Sequence, residues 1–320
     1  MTERREQLHA VVGMKLAGKR LDQVLPLLFP DFSRSRLQRW IKQGLVTLDG
    51  KVYRPRDKVS GGEKIDLEAL LEDQVECRPQ NIPLDLIYED DQIIVVNKPV
   101  GLVVHPAPGN PDGTMQNALL YHDPELIQLP RAGIVHRLDK ETSGLLVVAR
   151  TIGVHRFLVE KLQAREFERE YHAIVTGVMT AGGTVDEPIG RHPVHRTRMA
   201  VVFNGKPAVT HYRALERFRA HTYVKVKLET GRTHQIRVHL AHIRYPLVGD
   251  PVYSGRLRLP AGSSEQLKDE LRNFKRQALH ARCLGLVHPG TGEYMEWEAP
   301  VPEDMECLLA VLRQETAVDD

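Results

Sequence analysis

The sequence predicts an α+β fold, a large and largely antiparallel sheet domain preceded by a small basic module. Three observations predict it. Strand-like apolar runs at 93–96, 145–148, 172–175, 208–212 and 222–228 dominate the second part of the chain. Few helical patterns separate them, so the spacing is not that of regular βαβ units. Charge also reverses near the N-terminus. Residues 1–58 hold thirteen Lys or Arg against six Asp or Glu, and residues 59–91 hold ten acidic residues against two basic. A basic segment followed by an acidic connector suits a small module with a polyanion-facing surface. The expected layout is a module at 1–76, a linker at 77–84 and the sheet domain at 85–320.

Size and composition agree with this division. A chain of 320 residues can bury one large core and one small one. Its 42% hydrophobic and 27% charged content is that of an ordinary globular protein. Cys77, Cys283 and Cys307 are far apart and form no CxxC pair, which argues against a disulfide framework or a thiolate zinc site and suits a reducing cytosol. No signal peptide is visible, and no run approaches the roughly 18 apolar residues of a membrane span. The expected location is cytoplasmic, without membrane attachment and as a monomer.

In the basic module, Leu21, Val24, Leu25 and Leu28 recur at helical spacing. Phe32-Ser33-Arg34-Ser35 offers an N-cap to a second helix with the stripe Leu37, Trp40 and Ile41, ended by Gly44. Arg34, Arg36, Arg39 and Lys42 lie mostly off that stripe. LVTLDGKVYR reads as two short strands around the Asp49-Gly50 turn, and a Gly61-Gly62 turn leads into a strand at 64–67. The following EDQVECRPQNIP is polar, carries two prolines and has no periodicity. The element order, with GKRLDQVL, SRSRLQRWIKQGLVTLDGK and VSGGEKI, resembles the S4 RNA-binding domain. The resemblance implies that Arg34, Arg36 and Arg39 grip phosphates, contacts that position RNA without reading its sequence.

In the large domain, residues 151–167 read as a helix with Val154, Phe157, Leu158 and Leu162 on one face. GIVHRLDKETSGLLVVAR, at 133–150, places an Arg, an Asp and a Lys between apolar runs. If the first run is extended, Val135, Arg137 and Asp139 share one face and Ile134, His136 and Leu138 the other. Asp139 then emerges with Arg137 at a strand end, as a structural ion pair or as a carboxylate placed for nucleophilic or base chemistry. In TYVKVKLETGRTHQIRVHL a half-buried strand is broken by Gly231, and a helical stripe of Ile236, Leu240 and Ile243 follows. Arg232 sits at that junction, where a guanidinium can meet a carboxylate or phosphate. The histidines at 234, 239 and 242 lack HExxH spacing, which argues against zinc. In FEREYHAIVTG, Tyr171 shares a strand face with Ala173 and Val175, as a core aromatic or as a site residue. No G-x-G-x-x-G or P-loop supports a nucleotide cofactor.

Taken together, VVNKPVGLVVHP at 95–106, GIVHRLDKETSGLLVVAR at 133–150, EREY ending at Tyr171, GRTHQIRVHL at 231–240 and QALHARCLGLVHP at 277–289 resemble the RluA-type family of pseudouridine synthases. The resemblance implies isomerisation of a uridine in RNA to its C-glycoside, with no cofactor and no metal. It implies that Asp139 is the catalytic aspartate, acting as nucleophile or as base at C2′. Arg232 would pair with Asp139, Tyr171 would stack on the base, and Arg137, His136 and Lys98 would bind the RNA. Over the whole chain it points to 23S ribosomal RNA of the large subunit, in the helix 69 hairpin. The alternatives are another rRNA or tRNA site, or a non-catalytic RNA-binding assembly factor.

Overall fold

The structure, a computed structural model, describes residues 4–30, 32, 34–71, 77–107 and 109–319. Two compact units divide the chain, Met1–Glu76 and Cys77–Asp320. The N-cap expected at Ser33 lies outside the described residues.

The first unit runs β1 (Arg4–Val11), α1 (Leu21–Leu28), α2 (Arg34–Lys42), β2 (Val46–Leu48), β3 (Lys51–Val52) and β4 (Lys64–Leu71), with strand order β1-β4-β2-β3. The helical stripes foreseen from spacing do the packing. Leu21, Val24 and Leu25 of α1 and Leu37, Trp40 and Ile41 of α2 bury against Val46, Leu48, Ile65 and Leu67. Asp49 and Gly50 both have positive φ, 46° and 77°, as a two-residue hairpin turn of the primed type requires. Strand β1 is the element the sequence pattern did not announce. It pairs antiparallel along the whole of β4, from Arg4 opposite Leu71 to Val11 opposite Lys64. Its outer face is charged, with Arg5 on Glu68 and His9 on Asp66, so the short alternation of Leu8, Ala10 and Val12 is easily overlooked.

The second unit runs β5 (Asp85–Glu89), β6 (Ile93–Lys98), α3 (Met115–His122), β7 (Ser143–Ala149), α4 (Ile152–Gln163), β8 (Glu168–Thr176), β9 (Gly183–Asp186), β10 (Ile189–Arg191), β11 (Met199–Val201), β12 (Val209–Arg217), β13 (His221–Leu228), α5 (Gln235–His242), α6 (Glu265–Asn273), β14 (Leu279–Val287), β15 (Tyr294–Glu298) and α7 (Glu303–Asp319). Its nine-stranded sheet has the order β5-β6-β7-β14-β8-β13-β12-β9, with β15 beside β14. Every pairing in it is antiparallel except that of β7 with β14. The fold is thus the α+β class expected.

Both sheet faces are covered, which is why β6 and β7 read as unbroken apolar runs. Ile94, Val96, Leu146 and Val148 face a core shared with α3 and α5. Ile93, Val95, Leu145 and Val147 face the other way, onto Val154 and Leu158 of α4. The candidate catalytic residues all gather on the α3/α5 side.

Two expectations are corrected. Residues 77–84, expected as a linker, are part of the second unit. Cys77, Ile82 and Leu84 pack on its core. The Gln80 side chain accepts from Gly113 N–H at 2.7 Å, and the Asn117 side chain donates to the Arg78 carbonyl at 2.9 Å. A polar, proline-bearing composition reports the absence of regular structure, not of packing. Second, 134–139 is not a strand. A short 3-10 turn, Pro130–Gly133, leads to one bridge between Ile134 and Val148, and the chain then leaves the sheet as an ordered loop.

A chain starting at Cys77 is therefore expected to melt cooperatively. One starting at Asp85 loses three hydrogen bonds and the burial of Ile82 and Leu84, and is expected to be less stable by about 3 kcal/mol or more. Thermal denaturation of the two truncations, side by side, checks this; equal stability would make 77–84 a passive tether.

Candidate active site

Asp139 stands on a loop whose backbone is tied at many points. Its carbonyl accepts from Thr142 N–H at 3.0 Å, closing a tight turn. The Lys140 carbonyl accepts from both Gly101 N–H and Lys98 Nζ, each at 3.0 Å. Gln277 Nε2 donates to Thr142 Oγ1 at 3.0 Å, and Arg276 reaches the Glu141 carbonyl at 3.3 Å. The loop ends at Gly144, whose φ is +110° and where an added Cβ would sit 2.2 Å from the Ala281 carbonyl oxygen. Only glycine lets the chain enter the sheet there, beside the parallel pairing of β7 and β14.

The carboxylate is held from α5. Arg237 Nη1 donates to Asp139 Oδ2 at 3.0 Å, while Nε and Nη2 grip Asp250 at 2.7 and 2.9 Å. Asp250 is wholly enclosed, Arg237 is 6% exposed and Asp139 17%. Asp250 Oδ1 also accepts from Val252 and Tyr253 N–H. Burial alone would weaken the Arg237 charge, but the two carboxylates overcome it and raise its pKa strongly. On the other side of Asp139, His234 Nε2 lies 3.9 Å from Oδ1.

This corrects the pairing expected for Arg232, which makes no ion pair with Asp139. Its Nε donates to the Pro207 carbonyl at 3.1 Å and its backbone N–H to Gln235 Oε1 at 3.0 Å. The reason is depth. Residues 235–240 are all buried, so position 237 projects inward while 232 stays at the rim. A buried Arg between Ile236 and Val238 was the signal available in the sequence, since such an Arg demands a carboxylate.

Asp139, Arg137, Arg232, Arg237 and Tyr171 line one cleft of about 570 Å³. Tyr171, on β8 opposite Val226 and Ala281, is 7% exposed. Its hydroxyl has no hydrogen-bond partner among the described residues. Burial pushes its pKa up; Arg169 opposes this and Asp139 reinforces it. Arg169, two residues earlier on β8, is another residue that no sequence signal singled out. It is buried in the cleft wall, donates through Nη2 to the Glu229 carbonyl at 3.2 Å, and leaves Nε without a partner among the described residues.

Two residues expected to bind RNA are differently employed. Lys98 is fully buried, and its Nζ donates to the carbonyls of Pro99, Leu102 and Lys140 at 2.7, 3.0 and 3.0 Å. With all three N–H groups used, it braces the Asp139 loop and cannot reach RNA. Burial pulls its pKa down to about 7. His136 lines the cleft, but its Nε2 accepts from Val147 N–H at 3.1 Å and burial lowers its pKa to about 3, so it is neutral. Arg34, Arg36 and Arg39 belong to α2 of the first unit. There Arg34 lies 4.0 Å from Asp22 and Arg36 stacks on Trp40 at 5.2 Å. No cluster of His, Cys, Asp and Glu able to hold a metal occurs among the described residues.

Residues 92–242 match the family described as RNA pseudouridylate synthase, and residues 19–65 match the S4 domain. Over 309 residues the chain is 60% identical to the ribosomal large subunit pseudouridine synthase D of Pseudomonas aeruginosa, covering 97% of each. It is 58% identical over 310 residues to the protein of that name from Escherichia coli K12, covering 97% of this chain and 95% of that one. A solved structure, human RNA pseudouridylate synthase domain containing 4, superposes with a TM-score of 0.57 at 28% identity, covering 72% of this chain and 93% of that one.

The two arginines separate by stability. Arg237→Met strands two carboxylates, one of them fully buried, and is expected to lose about 3–5 kcal/mol. Arg232→Met forfeits one side-chain bond to a carbonyl, about 0.5–1.5 kcal/mol. Urea denaturation of both variants checks the order; a larger loss for Arg232→Met would overturn the assignment of the buried ion pair.

Proposed function

The chain belongs to the RNA pseudouridylate synthase family, and on that premise we propose that it isomerises uridines of large-subunit (23S) ribosomal RNA, in the helix 69 hairpin, with Asp139 as the catalytic residue. The observation that carries the reading is a carboxylate at a cleft wall, clamped by a buried guanidinium and facing the same space as a tyrosine hydroxyl without a partner among the described residues. The choice of RNA rests on the relatives named for the large ribosomal subunit, and the hairpin on whole-chain resemblance. Such an RNA places the enzyme in the cytoplasm.

The reaction conserves atoms. The N1–C1′ bond breaks, the uracil turns, C5 bonds to C1′, C5 gives up its proton and N1 takes one. The target atoms cannot be reached in a stacked base, so the uridine must enter the cleft flipped out. Arg137, exposed at the cleft wall, is placed to hold the RNA around the vacated position. Asp139 acts at the sugar, as nucleophile at C1′ or base at C2′, and Arg237 pairs with it and aims it. Tyr171 stacks on the uracil. Arg232, at the rim, offers its remaining N–H groups to the RNA backbone. In the S4 unit, Arg34, Arg36 and Arg39 grip phosphates.

Asp139→Asn keeps shape and removes charge. RNA binding is expected to persist while tritium release from 5-tritiated uridine stops; continued release above a trace would sink the catalytic assignment. Pseudouridine mapping of ribosomal RNA from cells with and without the protein identifies the target. No lost site would favour the assembly-factor reading.

The Arg34/Arg36/Arg39 triple alanine variant is expected to bind RNA more weakly at physiological salt. Its log K against log salt slope should flatten by about 0.7 for each single-strand phosphate that α2 no longer neutralises. Because Arg36 also stacks on Trp40, a thermal melt accompanies the titration. An unchanged slope in a folded variant would remove phosphate binding from α2.

A further inference from the structure

His234 takes no part in the steps assigned to Asp139, Tyr171 and the arginines, yet its geometry is unusual. It is the N-cap of α5 and adopts left-handed backbone angles, φ 57° and ψ 23°, which non-glycine residues seldom do outside strained or functional positions. This turn directs the imidazole toward Asp139 instead of along the helix.

Its other nitrogen is fixed. Nδ1 lies 2.8 Å from the Tyr253 hydroxyl, with the two rings edge to face at 5.7 Å. That hydroxyl accepts from Met199 N–H at 3.0 Å, and Arg237 lies over the Tyr253 ring at 5.1 Å. The Tyr253 oxygen carries one proton, and among the described residues His234 Nδ1 is its one acceptor. Donation from the hydroxyl makes Nδ1 the acceptor and puts the ring proton on Nε2, the nitrogen facing Asp139 Oδ1 at 3.9 Å.

We propose that His234 is a positioning residue for Asp139, donating from Nε2–H to Oδ1 while Arg237 holds Oδ2. A carboxylate held through one oxygen can still rotate about its own axis. A second donor on the other oxygen removes that freedom before the substrate arrives. The contact at 3.9 Å is long, and catalytic hydrogen bonds of this kind tighten when substrate fills the site. The charged groups acting on the imidazole are Asp139, Arg237, Asp250 and Arg137; burial outweighs the attraction of the two carboxylates and keeps the ring in its neutral form. The inference rests on Asp139 as the catalytic residue.

Two measurements test it. A long-range proton–nitrogen correlation spectrum of the full chain with 15N-labelled histidine, assigned with the His234→Asn variant, should show His234 as the neutral Nε2–H form. An Nδ1–H form would overturn the proposal. Single-turnover rates supply the second test. Asparagine tolerates the left-handed backbone and can still reach toward Tyr253, but it has no group at the Nε2 position. His234→Asn is therefore expected to turn over about 10- to 100-fold more slowly, the worth of a hydrogen bond to a charge, with RNA affinity within about threefold of the parent. His234→Gln, which reaches toward Asp139, should recover part of the rate. Parental turnover by a folded His234→Asn variant would overturn the proposal, and if that variant does not fold, the tautomer of the parent still decides. Should Asp139→Asn stay active, the catalytic reading fails by itself, while the tautomer reports separately on the hydrogen bond.

Discussion

The Arg237 guanidinium is shared between two carboxylates with different duties. Its Nε/Nη2 edge closes a bidentate pair with the enclosed Asp250, and the remaining Nη1 points at Asp139. The first pair fixes where the guanidinium lies, because a planar fork leaves little angular play. The second then inherits that position. Taking ions out of water is expensive, and a buried pair adds little net stability over apolar packing. Its value is geometric. A residue on α5 and another after it, in the turn that begins at Asp250, hold a third residue on a loop of the opposite element.

That arrangement requires the Asp139 backbone to be as immobile as Arg237. Lys98 serves this end: a fully buried ammonium spends its three protons on three carbonyls, one of them next to Asp139. Gly144 serves it differently, by letting β7 approach β14 at a separation no side chain permits. Asp139 thus sits on a loop with the precision of a sheet residue, as catalytic geometry demands.

Much of this was legible in the sequence. Alternation marked β8 and β13, and unbroken apolar runs marked β6 and β7, because those patterns follow directly from covered faces. The sequence placed Asp139, Tyr171, Arg137 and Arg232 in a common set of motifs, and all four line one cleft. What it could not supply was depth. Lys98 and Arg232 both read as cations at the ends of apolar strands, yet one is fully buried and the other is at the rim. Arg237 was hidden because a helix stripe of Ile236, Leu240 and Ile243 suggests that position 237 lies off the buried face, whereas α5 is enclosed on nearly all sides. β1 was hidden because its apolar residues, Leu8, Ala10 and Val11, are few and follow a charged and polar start.

The same cleft is electrically asymmetric. Arg131, Arg137, Arg165, Arg169, Arg232 and Arg237 line it against two carboxylates, Asp139 and Glu229. Guanidinium groups do not titrate in the physiological range, so this excess is permanent. It leaves a mark on nearby imidazoles: after burial, Arg137 and Arg131 lower the pKa of His105, and Arg169 lowers that of His136. Burial first and these arginines second disfavour charge on both imidazoles, and the guanidinium field that draws RNA phosphates does not itself titrate. Binding and chemistry are then separable. Fixed arginines attract the polyanion, and within their positive field one carboxylate is held in place by a dedicated guanidinium that is itself anchored on Asp250.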